Sequence, residues 1–72
     1  MDNAAYFNVV GIIYRRLGLL EKALKNSEKA ISINNSMVAA KMNIANINLQ
    51  KGNIKDAIKL LKEIVKEDPL YL

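Results

Sequence analysis

The sequence contains no cysteine and no histidine. Without cysteine there is no disulfide framework and no thiolate chemistry. Without histidine, the most common metal ligand and the most common general base are both missing. Residue spacing also shows no glycine-rich phosphate loop, no nucleophile–base set and no metal-ligand pattern. We therefore expect a protein that is not an enzyme and that needs no cofactor and no metal.

Long hydrophobic runs are missing as well. The longest strongly apolar run, Val9 to Tyr14, is far shorter than the roughly 20 residues that span a bilayer. The start, Met1-Asp2-Asn3, lacks the basic stretch that opens a signal peptide. The expectation is a protein with no membrane segment, placed by default in the cytoplasm.

The residues that are present fit one small domain over 1–72, because the chain has 72 residues and 51% of them are hydrophobic. That fraction argues against intrinsic disorder. A core this small, below roughly 70–80 residues, seldom supplies more than a few kcal/mol. Stability must then come from helix packing, from neighbouring parts of a longer chain, or from self-association. The net charge of +4 permits an acidic or nucleic-acid partner without requiring one.

An internal repeat organises the chain. Many residues recur 34 positions later, either identically or as a similar type, and the identical pairs include Ala5/Ala39, Ile13/Ile47, Gly18/Gly52, Ala23/Ala57 and Lys25/Lys59. The repeats cover residues 4–37 and 38–71. Apolar residues at helical spacing predict two helices in each repeat, at about 4–17, 20–33, 37–51 and 54–67.

Turn residues support these boundaries. Gly18 and Gly52 are suited to the left-handed position that ends a helix. Asn53 is expected to cap the fourth helix, with Asp56 completing part of a capping box. Residues 34–36 offer a cap for the third helix, whereas Leu19 cannot cap the second.

A 34-residue helix–turn–helix period resembles the tetratricopeptide repeat. The family pattern is W-x2-L-G-x2-Y, then A-x3-F, then P. Residues that match it, or substitute conservatively, are Phe7, Val10, Gly11, Tyr14 and Ala23 in the first repeat and Ile44, Ala45, Ala57, Leu61 and Pro69 in the second. The departures are Ser27, Asn35, Lys41 and Asn48.

The resemblance implies an all-α fold: two helix–turn–helix repeats, with four antiparallel helices, stacked as a short right-handed α-solenoid. Family members typically bind peptides or proteins on a concave surface lined by the first helix of each repeat. Carried over by alignment, the partner-binding residues would be Asn8, Ile12, Arg15, Arg16, Met42, Asn43, Asn46, Leu49 and Gln50. Asn48 is expected to point toward the packed side instead.

Several of these assignments also have an interpretation that involves no partner. Asn43 and Asn46 are also what a solvated open face would carry, and a single matching asparagine is weak support for a peptide-holding ladder. Arg15 and Arg16 would favour a helix C-terminus even without a partner carboxylate. The carboxylate clamp of some family members is rejected, because only one of its polar groups is present.

The ends of the stack suggest a rival function. Tyr6, Val10 and Ile13 should face the place of a preceding repeat, and Leu61, Ile64 and Val65 the place of a following helix. Residues 70–72, Leu-Tyr-Leu, resemble the start of that helix. Either the chain is a piece of a longer array, or it buries its ends by forming a homo-oligomer. Nucleic-acid binding by a stripe of lysines, Lys55, Lys59, Lys62 and Lys66, ranks third because stacking aromatics are not interleaved with it.

Overall fold

The computed structural model describes residues 3–70, which form four α-helices: α1 (Asn3–Arg16), α2 (Leu20–Ile33), α3 (Val38–Lys51) and α4 (Ile54–Glu67). The all-α fold is confirmed, and each boundary lies within one residue of its predicted position. Leu70 follows α4 in a turn. The rest of the expected next helix, residues 71–72, lies outside the described residues.

Both glycine turns take the conformation expected from sequence. The φ angles of Gly18 and Gly52 are 80° and 85°, in the left-handed region. After Gly52, the Asn53 N–H donates to the Asn48 carbonyl at 2.8 Å, and Gly52 N–H donates to the Leu49 carbonyl at 3.1 Å. These two bonds form a Schellman motif, which satisfies carbonyls left free at the helix end. The chain therefore reverses within two or three residues, and each pair of helices packs antiparallel.

The predicted N-terminal caps are wrong. Asn53 precedes α4, but its side chain makes no capping hydrogen bond. Its ψ of 68° lies outside the β region from which an Asn side chain reaches back to the first turn. Met37 occupies the cap position of α3, also without a side-chain bond. Asn34 instead accepts hydrogen bonds from the Ser36 N–H at 3.2 Å and hydroxyl at 2.9 Å, and so stabilises the turn between the repeats.

The two hairpins stack through α3. This helix pairs with α4 in its own repeat and also contacts α1 and α2 of the first repeat, whereas α4 contacts only α3 among the described helices. The core is built mainly from fully buried alanines together with Ile47 and Ile64. Alanine allows close approach of helix backbones, but it buries little apolar area per residue. Much of the hydrophobic surface of this chain consequently remains on the outside.

Candidate interaction surface

Three helices meet at a polar triad formed by Ser27 of α2, Asn43 of α3 and the half-buried Arg15 of α1. The Asn43 Nδ2 donates to Ser27 Oγ at 2.6 Å, and the Arg15 Nε donates to Asn43 Oδ1 at 2.7 Å. Ser27 is fully buried and Asn43 is nearly so. Both ends of the Asn43 amide are thus hydrogen-bonded, as a buried amide requires.

Gly11 makes room for this triad. A Cβ at this position would lie 2.6 Å from Ser27 Oγ, 3.2 Å from the Ala23 carbonyl oxygen and 3.3 Å from Asn43 Nδ2. The first distance is well below ordinary van der Waals contact. A side chain at this point of α1 would therefore displace Ser27 Oγ, so the close packing of α2 and α3 favours glycine here.

The structure corrects the expected placement of two asparagines. Asn43 does not lie on an open face, because α1 and α2 both pack over that side of α3. Asn8 is also buried, and its Oδ1 has no hydrogen-bond partner among residues 3–70. An unpaired buried acceptor costs about 1–3 kcal/mol. Asn43 therefore belongs to the interface between the repeats, and Asn8 offers at most a recessed acceptor.

The other seven residues of the expected binding surface remain accessible. Ile12, Arg15, Met42 and Asn46 are half-buried, and Arg16, Leu49 and Gln50 are exposed. Arg15 connects the two helices that carry them, since its Nη1 also donates to Gln50 Oε1 at 3.2 Å. The guanidinium is thereby held between α1 and α3 by two amide oxygens.

The charges on α1 and α3 are of one sign. These helices contain Arg15, Arg16, Lys41 and Lys51 but no aspartate or glutamate. Lys41 Nζ contacts both carboxylate oxygens of Glu67, at 2.7 and 2.9 Å, and Lys51 Nζ contacts Glu21 Oε1 at 2.6 Å.

These contacts neutralise the two lysines. The hydrogen bond from Lys51 and its positive charge hold the pKa of Glu21 below its usual value. Within residues 3–70, neither Arg15 nor Arg16 forms an ion pair, so their charges remain available.

Two of the four departures from the repeat pattern have structural explanations. Ser27 replaces an aromatic residue and serves the triad, and Lys41 replaces another and pairs with Glu67. Asn48 is only half-buried, so its side chain keeps access to water and needs no buried partner. The sequence marked Ser27 as unusual, but nothing in it could name Asn43 as the partner.

The two end surfaces differ in part from expectation. Tyr6, Ile13 and Val65 are exposed, while Val10 and Leu61 are half-buried. Ile64 is fully buried, which corrects its assignment to the end of the stack, since it belongs to the core that α4 forms with α3. Sequence reasoning missed Val9 and Ile58, both of which are exposed large apolar residues.

The lysine stripe of α4 lies on the solvent side. Lys55, Lys59, Lys62 and Lys66 are all exposed, and none of them lies over an aromatic ring within residues 3–70. Tyr71, the aromatic residue closest to the stripe in sequence, is outside the described residues. Nothing in this arrangement adds a stacking platform to the positive charge.

Residues 3–70 contain no group of three or more acidic side chains close enough to hold a metal ion. No helix within the same range is both long enough and apolar enough to cross a bilayer.

Comparison with known families agrees with the geometry. A family model described as tetratricopeptide repeat matches residues 14–71. The chain belongs to the tetratricopeptide repeat family. Such repeats generally mediate protein–protein interaction and typically form non-catalytic scaffolds. No curated protein and no solved structure shows significant similarity to the chain.

Proposed function

We propose that this tetratricopeptide repeat chain is a non-catalytic scaffold that binds a peptide or protein segment along α1 and α3. The accessible residues that would contact the segment are Ile12, Arg15, Arg16, Met42, Asn46, Leu49 and Gln50. The observation that supports this function best is the position of Arg15, whose side chain bridges the two helices and has no carboxylate partner among residues 3–70.

Arg15 is suited to recognise a carboxylate. A guanidinium has five N–H donors in a rigid fork, and here two of its nitrogens are already held by neutral amide oxygens. The N–H donors that are not used in these two bonds belong to a side chain whose orientation is fixed before a partner binds. Fixing the side chain in advance reduces the entropy lost when a partner binds.

The neighbouring residues indicate the partner's chemistry. Ile12, Met42 and Leu49 offer apolar contact area beside Arg15, and Asn46 and Gln50 offer amides that can pair with a peptide backbone. Because α1 and α3 carry no acidic residue, a basic segment would find no counter-charge on these helices. The favoured ligand is an extended or helical segment with apolar residues and a carboxylate.

A binding experiment with a charge-matched control tests this function. The variant Met42→Glu/Asn46→Glu places two carboxylates among the proposed contacts, while Lys59→Glu on the solvent side of α4 lowers the net charge by the same two units. In a pull-down from source extract, the double variant should lose the partner and Lys59→Glu should retain it. Both should keep the helical circular dichroism of the parent chain. Retention of the partner by a folded double variant would exclude this surface.

A further inference from the structure

The interface between the repeats buries one face of α3. Ala40, Asn43 and Ile47 follow one another at helical spacing, and their exposures are 0%, 3% and 0%. This face is covered because α3 contacts both α1 and α2. The preceding repeat therefore covers α3 at these three positions.

The 34-residue offset assigns Tyr6, Val9 and Ile13 of α1 to the same three positions. Their exposures are 55%, 54% and 52%. Tyr6 is much larger than its counterpart Ala40, and Val9 is apolar where Asn43 is polar, yet all three α1 residues lie open. Surface apolar residues normally occur singly, whereas these three share one helix face.

The opposite end of the stack carries a matching open surface. A depression of about 300 Å³ on α4 is lined by Ile58, Leu61, Lys62 and Val65. Subtracting the offset gives Leu24, Ser27, Glu28 and Ile31 of α2. Within the chain that part of α2 receives α3, as the hydrogen bond between Ser27 and Asn43 shows. The α4 depression is therefore the equivalent of an occupied surface.

The residues equivalent to the polar triad on the two end surfaces indicate whether a second copy can fit. In a contact between two copies, the 34-residue offset places Leu61 at the position equivalent to Ser27 and Leu49 at the position equivalent to Arg15. Val9 of the second copy takes the position equivalent to Asn43. Three hydrogen-bonding residues are replaced together by three apolar ones. A polar residue in only one of these positions would be left unpaired, which is costly in a dry interface. The two exposed ends of this chain are thus compatible with each other at the position of the triad, where the internal interface makes its hydrogen bonds.

The positions equivalent to the ion pair of the internal interface would carry no opposing like charges in a contact between two copies. Lys51 and Glu21 correspond to Leu17 of a second copy and to Lys55. Leu17 is exposed and apolar, so no like charges would be opposed, and the alkyl stem of Lys55 can pack against it.

From this correspondence we propose that the chain assembles head to tail, with α1 of a second copy docking onto α3 and α4 of the first. The contact would repeat the internal interface, with Val9 of the second copy between Leu49 and Leu61. Since the two faces are different, each added copy leaves one face of each kind open. Such a heterologous contact produces an open-ended stack rather than a closed dimer.

Sedimentation velocity of two end-blocked variants tests the proposal. Val9→Glu blocks the α1 face and Ile58→Glu blocks the α4 face, and both sites are exposed in the chain. The parent chain should show a mass that rises with concentration, at tens of micromolar, above twice the 8.1 kDa of one copy. Each variant alone should remain at the mass of one copy. An equimolar mixture should form a one-to-one complex and stop there, because only one unblocked pair of faces is left.

Several outcomes would overturn the proposal. A parent chain that stays monomeric at these concentrations rejects it outright. Assembly by Val9→Glu but not by Ile58→Glu would mean that α4 faces pair with each other. A mixture that stays monomeric while both variants are folded also rejects it. Ile13→Glu and Val65→Glu serve as second variants if circular dichroism shows that a first one is unfolded, and Lys59→Glu controls for added negative charge on α4.

Discussion

Substituting Gly11 by alanine probes the close packing of α1 against the polar triad. Alanine at an exposed helix position is favoured over glycine by about 0.8–1.0 kcal/mol. Here the new Cβ would lie 2.6 Å from Ser27 Oγ, so that hydroxyl must leave its position. Its movement breaks the 2.6 Å hydrogen bond from Asn43 Nδ2, whose donor is then buried without a partner.

The magnitude follows from these opposing effects. Overpacking a well-packed core costs about 1–3 kcal/mol. After the gain in helix propensity, we expect Gly11→Ala to lower the free energy of unfolding by about 1 kcal/mol. For a chain of this size, that corresponds to a fall of about 4–8 °C in Tm.

A double-mutant cycle isolates the contact. Ser27→Ala removes the atom nearest to the new Cβ, and the next neighbours lie at 3.2 and 3.3 Å, which is tight but tolerable after small shifts. Ser27→Ala alone should destabilise by about 1–3 kcal/mol, because Asn43 loses its acceptor. Adding Gly11→Ala in that background should be neutral or stabilising, so the two changes are strongly non-additive.

Urea unfolding followed by circular dichroism measures all four proteins. The experiments belong in the Val9→Glu background, since assembly would make apparent stability depend on concentration. If Gly11→Ala raises stability by the full helix-propensity increment whether or not Ser27 is present, the proposed packing around Gly11 is wrong.

Three further predictions concern single side chains. Asn8→Leu should raise Tm by several degrees because it replaces a buried acceptor that has no partner in the part of the chain that the structure describes; Asn46→Leu, at a half-buried position, is the control, and an equal rise in both would contradict the reasoning. Arg15→Lys should weaken binding of a captured partner, since the single nitrogen of lysine cannot hold Asn43 and Gln50 while presenting a fork to a carboxylate, and it should also lower Tm, because the buried Asn43 Oδ1 loses a donor; unchanged affinity of the folded variant would remove Arg15 from the site. Glu21→Gln should reduce the loss of Tm between neutral and acidic pH, and an unchanged loss would contradict this reasoning. The reason is that Lys51 lowers the folded-state pKa of Glu21, so its small contribution exists above the unfolded pKa and is lost as pH falls through the folded value.

Local signals made the helices and their ends predictable. Gly18 and Gly52 determine where α1 and α3 stop, because glycine readily takes the positive φ that a Schellman motif needs. The apolar spacing on α2 and α4 located those helices to the residue. The N-terminal caps failed for a different reason: Asn53 has the right side chain, but the backbone angle set by the short turn does not direct it at the first helical amides.

The burial of Asn43 and Ile64 could not be read from helix periodicity. A helical wheel divides a helix into a packed side and an open side, which locates the apolar stripe of α4, a helix that contacts only α3 within the described residues, but does not say which residues of that stripe are covered. Helix α3 contacts three other helices, so its packed surface extends around to Asn43. Ile64 lies next to Val65 on the apolar stripe of α4, and only the direction of α3 decides which of them is covered.

The triad also determines which helix can occupy the surface of α2. If α1 of a second copy displaced α3 from that surface, Val9 would take the place of Asn43, and Ser27 and Arg15 would lose their hydrogen-bond partner. Leaving buried polar groups unpaired costs about 1–3 kcal/mol each. The same helix on α4 meets Leu61 and Leu49, where no polar group is left unpaired. Displacement of α3 by α1 of a second copy is therefore disfavoured relative to end-to-end addition, because the internal interface carries polar groups at these positions and the end-to-end contact carries apolar ones.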